Sequence, residues 1–184
     1  MKSAFIQYKP FFLFLFKFLA FYIVFTVVYK LYLNQYDENQ YEVDGITKNV
    51  AIYSARLLNM FGEEAYTYPN EMGNYMSFLV SNKYVSRVVE GCNAISVIIL
   101  FAAFVFAFSN TFKQTFVFIL AGSIIIYLLN ILRIALLNYA FYYYPQYNDF
   151  LHDILFPLFI YGVVFVLWIV WITKFSGYEK NTKT

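Results

Sequence analysis

Three side chains carry chemistry that their apolar surroundings do not explain: the single cysteine, Cys92; Arg133, the one arginine inside an apolar run; and the single histidine, His152. A thiol that attacks a carbonyl needs a base for its proton and a fixed charge or donor for the oxyanion. Cysteine, histidine and arginine supply those three parts, so the chemistry to test is acyl transfer through a covalent thioester. In that scheme His152 takes the thiol proton and returns it to the leaving amine. Arg133 stabilises the tetrahedral oxyanion or holds the thiolate. Asn130, three positions before Arg133 on the same helical face, can offer its carbonyl oxygen to the guanidinium. Glu90, Asp149 and Asp153 are the carboxylates available to pair with it. Asp149, three before His152, orients the imidazole if that stretch is helical, whereas Asp153 is adjacent and neighbouring helical residues do not face each other.

The chain that must position these groups has 184 residues, of which 61% are hydrophobic and 13% charged. Soluble domains run at about 25% charged, so lipid is the main solvent here. The net charge of +2 is small and its basic residues are scattered, which excludes a nucleic-acid surface. A lone cysteine forms no intramolecular disulfide. With one histidine, metal hydrolysis has no ligand set, and no cofactor motif is present.

Hydropathy predicts an all-α, polytopic transmembrane helical bundle in a single membrane domain, 1–184. Its four spans are 11–33, 93–109, 114–141 and 154–175. A helix crosses the ~30 Å apolar core in ~20 residues, so the second run is short and the third long. The first run follows Lys2 and Lys9, is longer than a signal peptide's apolar core and lacks a small-residue cleavage site before Asn34, which predicts a retained signal anchor. Lys17, near its basic end, can snorkel. Lys2, Lys9, Lys113, Lys174, Lys180 and Lys183 fall on one side with Glu179 the lone acid, and that side is cytoplasmic. Both termini are therefore expected inside. The segment 34–91 lies outside, and Ile46, Val50, Tyr53, Leu57, Met60 and Phe61 predict an amphipathic helix on or near the outer surface. Tyr66 to Asn70 reads as a turn and Gly73-Asn74 as a second break.

This topology brings the three reactive groups to one depth. Cys92 caps the outer end of the second span, ahead of Asn93, where the positive end of the helix dipole favours thiolate. Arg133 falls about one turn below the outer boundary, and His152 lies two residues before the fourth span. Arginine at a helix centre costs about 2.5–3.5 kcal/mol unless it snorkels or pairs, so Arg133 needs a partner.

At these positions the chain resembles the exosortase and archaeosortase family of polytopic membrane cysteine transpeptidases, in particular its short F-type branch from Bacteroidetes. The strings are Arg87-Val-Val-Glu-Gly-Cys92-Asn-Ala, then Asn130-Ile-Leu-Arg133-Ile, then Leu151-His152-Asp153, in the family's order, over roughly the C-terminal half. The resemblance implies that Cys92 is the nucleophile and that Arg133 and His152 complete a triad. It implies as partner and substrate the C-terminal sorting helix of exported proteins, cut at the periplasmic face of a bacterial inner membrane and passed to an acceptor. An accessory membrane protein is a further partner to expect. Ala94 stands where the family commonly has glycine; in a helix first turn alanine is harmless.

Two other arrangements fail. Glu63-Glu64 resembles the paired glutamates of intramembrane prenyl-protein proteases, which also need histidine ligands. Gly122-Ser123 resembles a rhomboid-like serine but lies roughly 15 Å of helix rise below Arg133, with no base at that depth. The remaining alternative is a non-enzymatic scaffold or accessory subunit of an export complex. It would use the small residues Ala102, Ala103, Ala107, Ala121 and Gly122 as helix contacts.

Overall fold

A computed structural model describes residues 8–109 and 111–175. Lys2, Glu179, Lys180 and Lys183, which enter the charge argument, lie outside the described residues. The chain is predominantly helical, as hydropathy predicts, and three helical runs are long and apolar enough to cross a membrane: α1 (Lys9–Leu33), α4 (Phe112–Tyr143) and the run Pro145–Phe175, which contains α5 (Phe156–Val170). The remaining apolar helix, α3 (Ile95–Ala107), is only about 20 Å long. The run that carries His152 starts at Pro145, so this residue sits inside helical structure rather than ahead of it.

α1 is apolar all round, with Pro10 in its first turn, where a missing N–H breaks no helix bond. It leans on α3 through aromatic contacts: Phe14 on Phe108 at 4.4 Å and Phe21 on Phe106 at 4.8 Å between ring centroids. α2 (Gly45–Met60) is the expected amphipathic helix, started by Asp44, whose carboxylate accepts from the Ile46 and Thr47 amides at 3.0 and 2.9 Å. Its buried face differs from the predicted one. Thr47, Val50, Ala51, Ser54, Ala55 and Leu58 turn inward while Tyr53, Met60 and Phe61 are exposed. The helix packs on protein rather than lying on a surface: Ser54 Oγ donates to Ile131 O of α4 at 3.1 Å, an approach that the small Ala51 and Ala55 permit.

Between α2 and α3 the chain forms an antiparallel sheet in the order β1-β2-β3, from Ala65–Pro69, Met76–Val80 and Lys83–Val88. The predicted turn at Tyr66 to Asn70 is therefore mostly strand, and the break at Gly73-Asn74 lies in the loop that follows. Ser81 and Asn82, both at positive φ (48° and 63°), make the tight β2–β3 turn. Met76, Phe78, Val80 and Val88 pack with Val50, Leu58, Ile134 and Ala135 into one core. Buried aliphatic or aromatic side chains of this kind stabilise by about 1.5–3 kcal/mol each. α4, at about 48 Å, is longer than a bilayer core, and its excess length runs beside the sheet, where Ser86 Oγ bonds Asn138 Oδ1 at 2.6 Å.

A second core joins α3, α4 and α5 through Phe101, Val105, Ile126, Ile160 and Val164. Gly122 of α4 receives the Phe101 ring so closely that any Cβ there would overlap it. Gly122→Leu is expected to destabilise the purified protein by about 1–3 kcal/mol. Gly162→Leu, where a Cβ meets open space, should leave the melting temperature in detergent unchanged. Equal melting temperatures for the two variants would contradict this packing.

Candidate active site

Cys92 does not occupy the first turn of α3. β3 ends at Val88, Val89 is extended, and Glu90–Cys92 form one tight 3-10 turn in which the Cys92 N–H donates to Val89 O at 2.9 Å. Asn93 follows, then Ala94 in the left-handed region at φ 64°, ψ 6°, and α3 begins only at Ile95. The dipole expectation is corrected accordingly: the helix end is capped by the Asn93 side chain, whose Oδ1 accepts from Ile95 N–H at 3.0 Å, while the Cys92 amide belongs to its own turn. The benign reading of Ala94 is corrected too. Its Cβ crowds the backbone at positive φ, and the family's glycine would relieve that. Ala94→Gly is expected to raise stability by up to about 1 kcal/mol, read as a higher melting temperature.

The turn is pinned from three elements. Asn93 Nδ2 donates to Tyr29 OH of α1 at 2.7 Å and to Thr47 Oγ1 of α2 at 3.1 Å. Asn130 Nδ2 of α4 donates to the Cys92 carbonyl at 2.7 Å. Both asparagines are 1% exposed, so each bond is protected from water. Asn130 thus holds the Cys92 backbone with its amide instead of serving the guanidinium. Glu90 lies beside the Tyr29 hydroxyl, not beside Arg133. The half-buried Cys92 thiol is free and packs against the sheet core.

Arg133 lies one turn beyond Asn130 on the same face. Its Nε is buried without a hydrogen-bond partner, and none of Glu90, Asp149 or Asp153 pairs with it among the described residues. The ionisable side chains that act on its charge are Cys92 and Tyr161 of α5. A half-buried cation with no counter-ion among the described residues, within electrostatic reach of a thiol, is costly to keep and able to meet a developing negative charge.

His152 stands apart from this group. It lies in a wide π-helical turn, Leu151–Leu155, with its side chain 61% exposed, and no contact joins it to Cys92 or Arg133. Its Nδ1 is 2.7 Å from Asp153 Oδ1, so the adjacent carboxylate, and not Asp149, orients the ring. The wider turn brings successive side chains closer around the axis than an α-helix does. A neutral ring that donates Nδ1–H to Asp153 leaves its Nε2 lone pair free. Cys92, Asn93, Asn130 and Arg133 are therefore assembled together with Tyr29, Thr47 and Tyr161, three residues that sequence reasoning missed. Among the described residues no three His, Cys, Asp or Glu side chains converge to hold a metal ion. An apolar groove of about 540 Å³ runs along α3 between α1 and α4, lined by Phe21, Phe25, Ile99, Ala102, Phe106 and Ile119.

The helices, with the thiol turn held by α1, α2 and α4, define a small polytopic membrane protein. The chain matches the transmembrane exosortase family over residues 5–174 and belongs to it. Its function is thus of the membrane exosortase type. No curated protein and no solved structure matches the chain.

Proposed function

We propose that the chain is a membrane cysteine protease and transpeptidase that removes C-terminal sorting signals from exported proteins and passes the shortened protein to an acceptor. The observation that carries this reading is the half-buried Arg133, unpaired among the described residues and within electrostatic reach of a thiol whose turn Asn130 and Asn93 hold in place. Cys92 sulfur attacks the scissile carbonyl carbon, and the oxyanion forms against Arg133. His152, oriented by Asp153, closes on the thiol when substrate is bound, takes its proton and delivers it to the leaving amine. The C–N bond breaks and a thioester remains on Cys92. An acceptor nucleophile then attacks the thioester, loses a proton to His152 and releases the thiol.

The charge distribution supports a location in the bacterial inner membrane with the sheet and Cys92 on the periplasmic side. The groove along α3 is apolar, as contact with a hydrophobic sorting helix requires. The scaffold alternative is less well supported, because Ala102, Ala103, Ala107 and Gly122 are buried within the chain itself, which leaves Ala121 as the one of the five small residues exposed to a partner helix.

Trapping the acyl-enzyme tests the reaction. Hydroxylamine added to active membranes competes with the acceptor, and exported proteins bearing C-terminal hydroxamates are the expected product by mass spectrometry. Continued loss of C-terminal tails with no hydroxamate formed would sink the thioester route. An impermeant maleimide gives the side of the membrane, since the chain has one cysteine; labelling of Cys92 only after lysis would reverse the orientation.

A further inference from the structure

β3 is an edge strand with its outer side open, and it leads directly into the nucleophile's turn. The direction of each backbone group follows from the ladder. Tyr75 O accepts from Asn70 N–H at 3.0 Å and Ser81 N–H donates to Glu64 O at 2.8 Å, so the odd-numbered residues along β2 turn toward β1 and the even-numbered ones toward β3. On β3 the partners of the even-numbered residues are Lys83, Ser86 and Val88, and these bond inward. Tyr84 and Arg87, opposite Leu79 and Ser77, present N–H and C=O away from the sheet. Val89, extended at φ −103° and ψ 170°, continues the alternation with its N–H outward, while its carbonyl accepts from Cys92. Among the described residues nothing bonds the Tyr84 or Arg87 backbone or the Val89 N–H.

The opposite edge is closed at its two ends, with the Thr67 backbone between them left without a partner among the described residues. On β1 the outward residues are Ala65, Thr67 and Pro69. The Ala65 N–H donates to Asn59 Oδ1 at 2.6 Å, its carbonyl accepts from Asn59 Nδ2 at 2.8 Å, and Pro69 has no N–H to offer. An open edge is a template for another strand, and folds usually seal both. Here the edge sealed at its ends is remote in sequence from Cys92, and the open one runs on to Val89, three residues before it.

We propose that the β3 edge is the substrate-binding strand: the extended segment that precedes the scissile bond adds to it in parallel, one residue donating its N–H to Arg87 O and accepting from Val89 N–H, and the residue two before it accepting from Arg87 N–H. This rests on the function proposed above. β3 runs toward α3, and a substrate whose cut site is followed by a membrane helix runs in the same sense. From Val89 the 3-10 turn advances ~6 Å to Cys92, the reach of about two extended substrate residues, which sets the scissile carbonyl two residues beyond the bonded one. Main-chain pairing of this kind reads no particular side chain, so one site serves exported proteins of different sequence up to their cut.

Proline tests the backbone directly, because at an outward position it removes an N–H that the fold does not use. The readout is the C-terminal tail of whichever exported protein retains its tail most strongly in Cys92→Ala cells. Val89→Pro and Arg87→Pro are expected to cut processing at least tenfold. Thr67→Pro, at an outward position of the other edge, should stay within twofold of wild type. Membrane accumulation and maleimide labelling of Cys92 report that each variant folds. Tyr84→p-benzoylphenylalanine in the full-length Cys92→Ala chain gives a second measurement that needs no proline, the expected result being a photo-adduct to the same exported protein just before its tail. Wild-type processing by both proline variants, or no photo-adduct, overturns the edge proposal while Cys92→Ala still retains its tails. Normal tail removal by Cys92→Ala overturns the function beneath it instead.

Discussion

Cells whose chain carries Cys92→Ala are expected to accumulate the protein in the membrane at the wild-type level and to leave exported proteins with their C-terminal tails attached. The substitution removes one sulfur from a half-buried position whose neighbours are largely held by other bonds, so the packing loss is small. The Cys92 carbonyl still accepts from Asn130, and the amide still closes the turn onto Val89, since both are main-chain groups. What disappears is the nucleophile. Loss of a covalent nucleophile lowers turnover on the order of 10^4–10^6-fold, which a tail-retention assay by mass spectrometry reads as complete. Equal C-termini in wild type and variant would remove the enzyme reading altogether.

Arg133 carries the second large effect. Removing one donor from an oxyanion site typically lowers the rate by about 10^2–10^3-fold, and Arg133→Gln should fall in that range in single-turnover formation of the thioester. Arg133→Lys is expected to recover only part of the loss, because an ammonium keeps the charge but not the planar fork that the guanidinium presents. Accumulation of Arg133→Gln should match or exceed that of wild type, since the buried, unbonded Nε and a charge with no counter-ion among the described residues make Arg133 a burden on folding. A variant that loses activity only in proportion to its abundance would assign Arg133 to structure instead.

The helices were readable because long apolar runs admit one interpretation, and hydropathy alone set Cys92 and Arg133 toward a common end. The sheet was hidden for a physical reason. β2 is buried on both faces and so shows no alternation, while β1 is rich in tyrosine and ends in proline, a composition that also suits a turn. Asn130 stood out as polar among apolar neighbours, but its true acceptor lies 38 residues away and depends on how the turn at Cys92 is made. Ala94 concealed its conformation, because a good helix former at that position gives no sign of positive φ. The pairing of His152 with Asp153 rests on a π-turn that no residue there announces. Tyr29 was one of 19 tyrosines until its bond to Asn93 set it apart.

The anchoring of one turn by α1, α2 and α4 also orders the protein's own synthesis. Cys92 leaves the ribosome after Tyr29 and Thr47 but 38 residues ahead of Asn130, and Arg133 comes later still. The nascent chain therefore carries its thiol with a partial scaffold and no cation until α4 has entered the bilayer. The proposed site is complete only when the topology is, and a chain stalled before α4 holds Cys92 without Asn130 or Arg133.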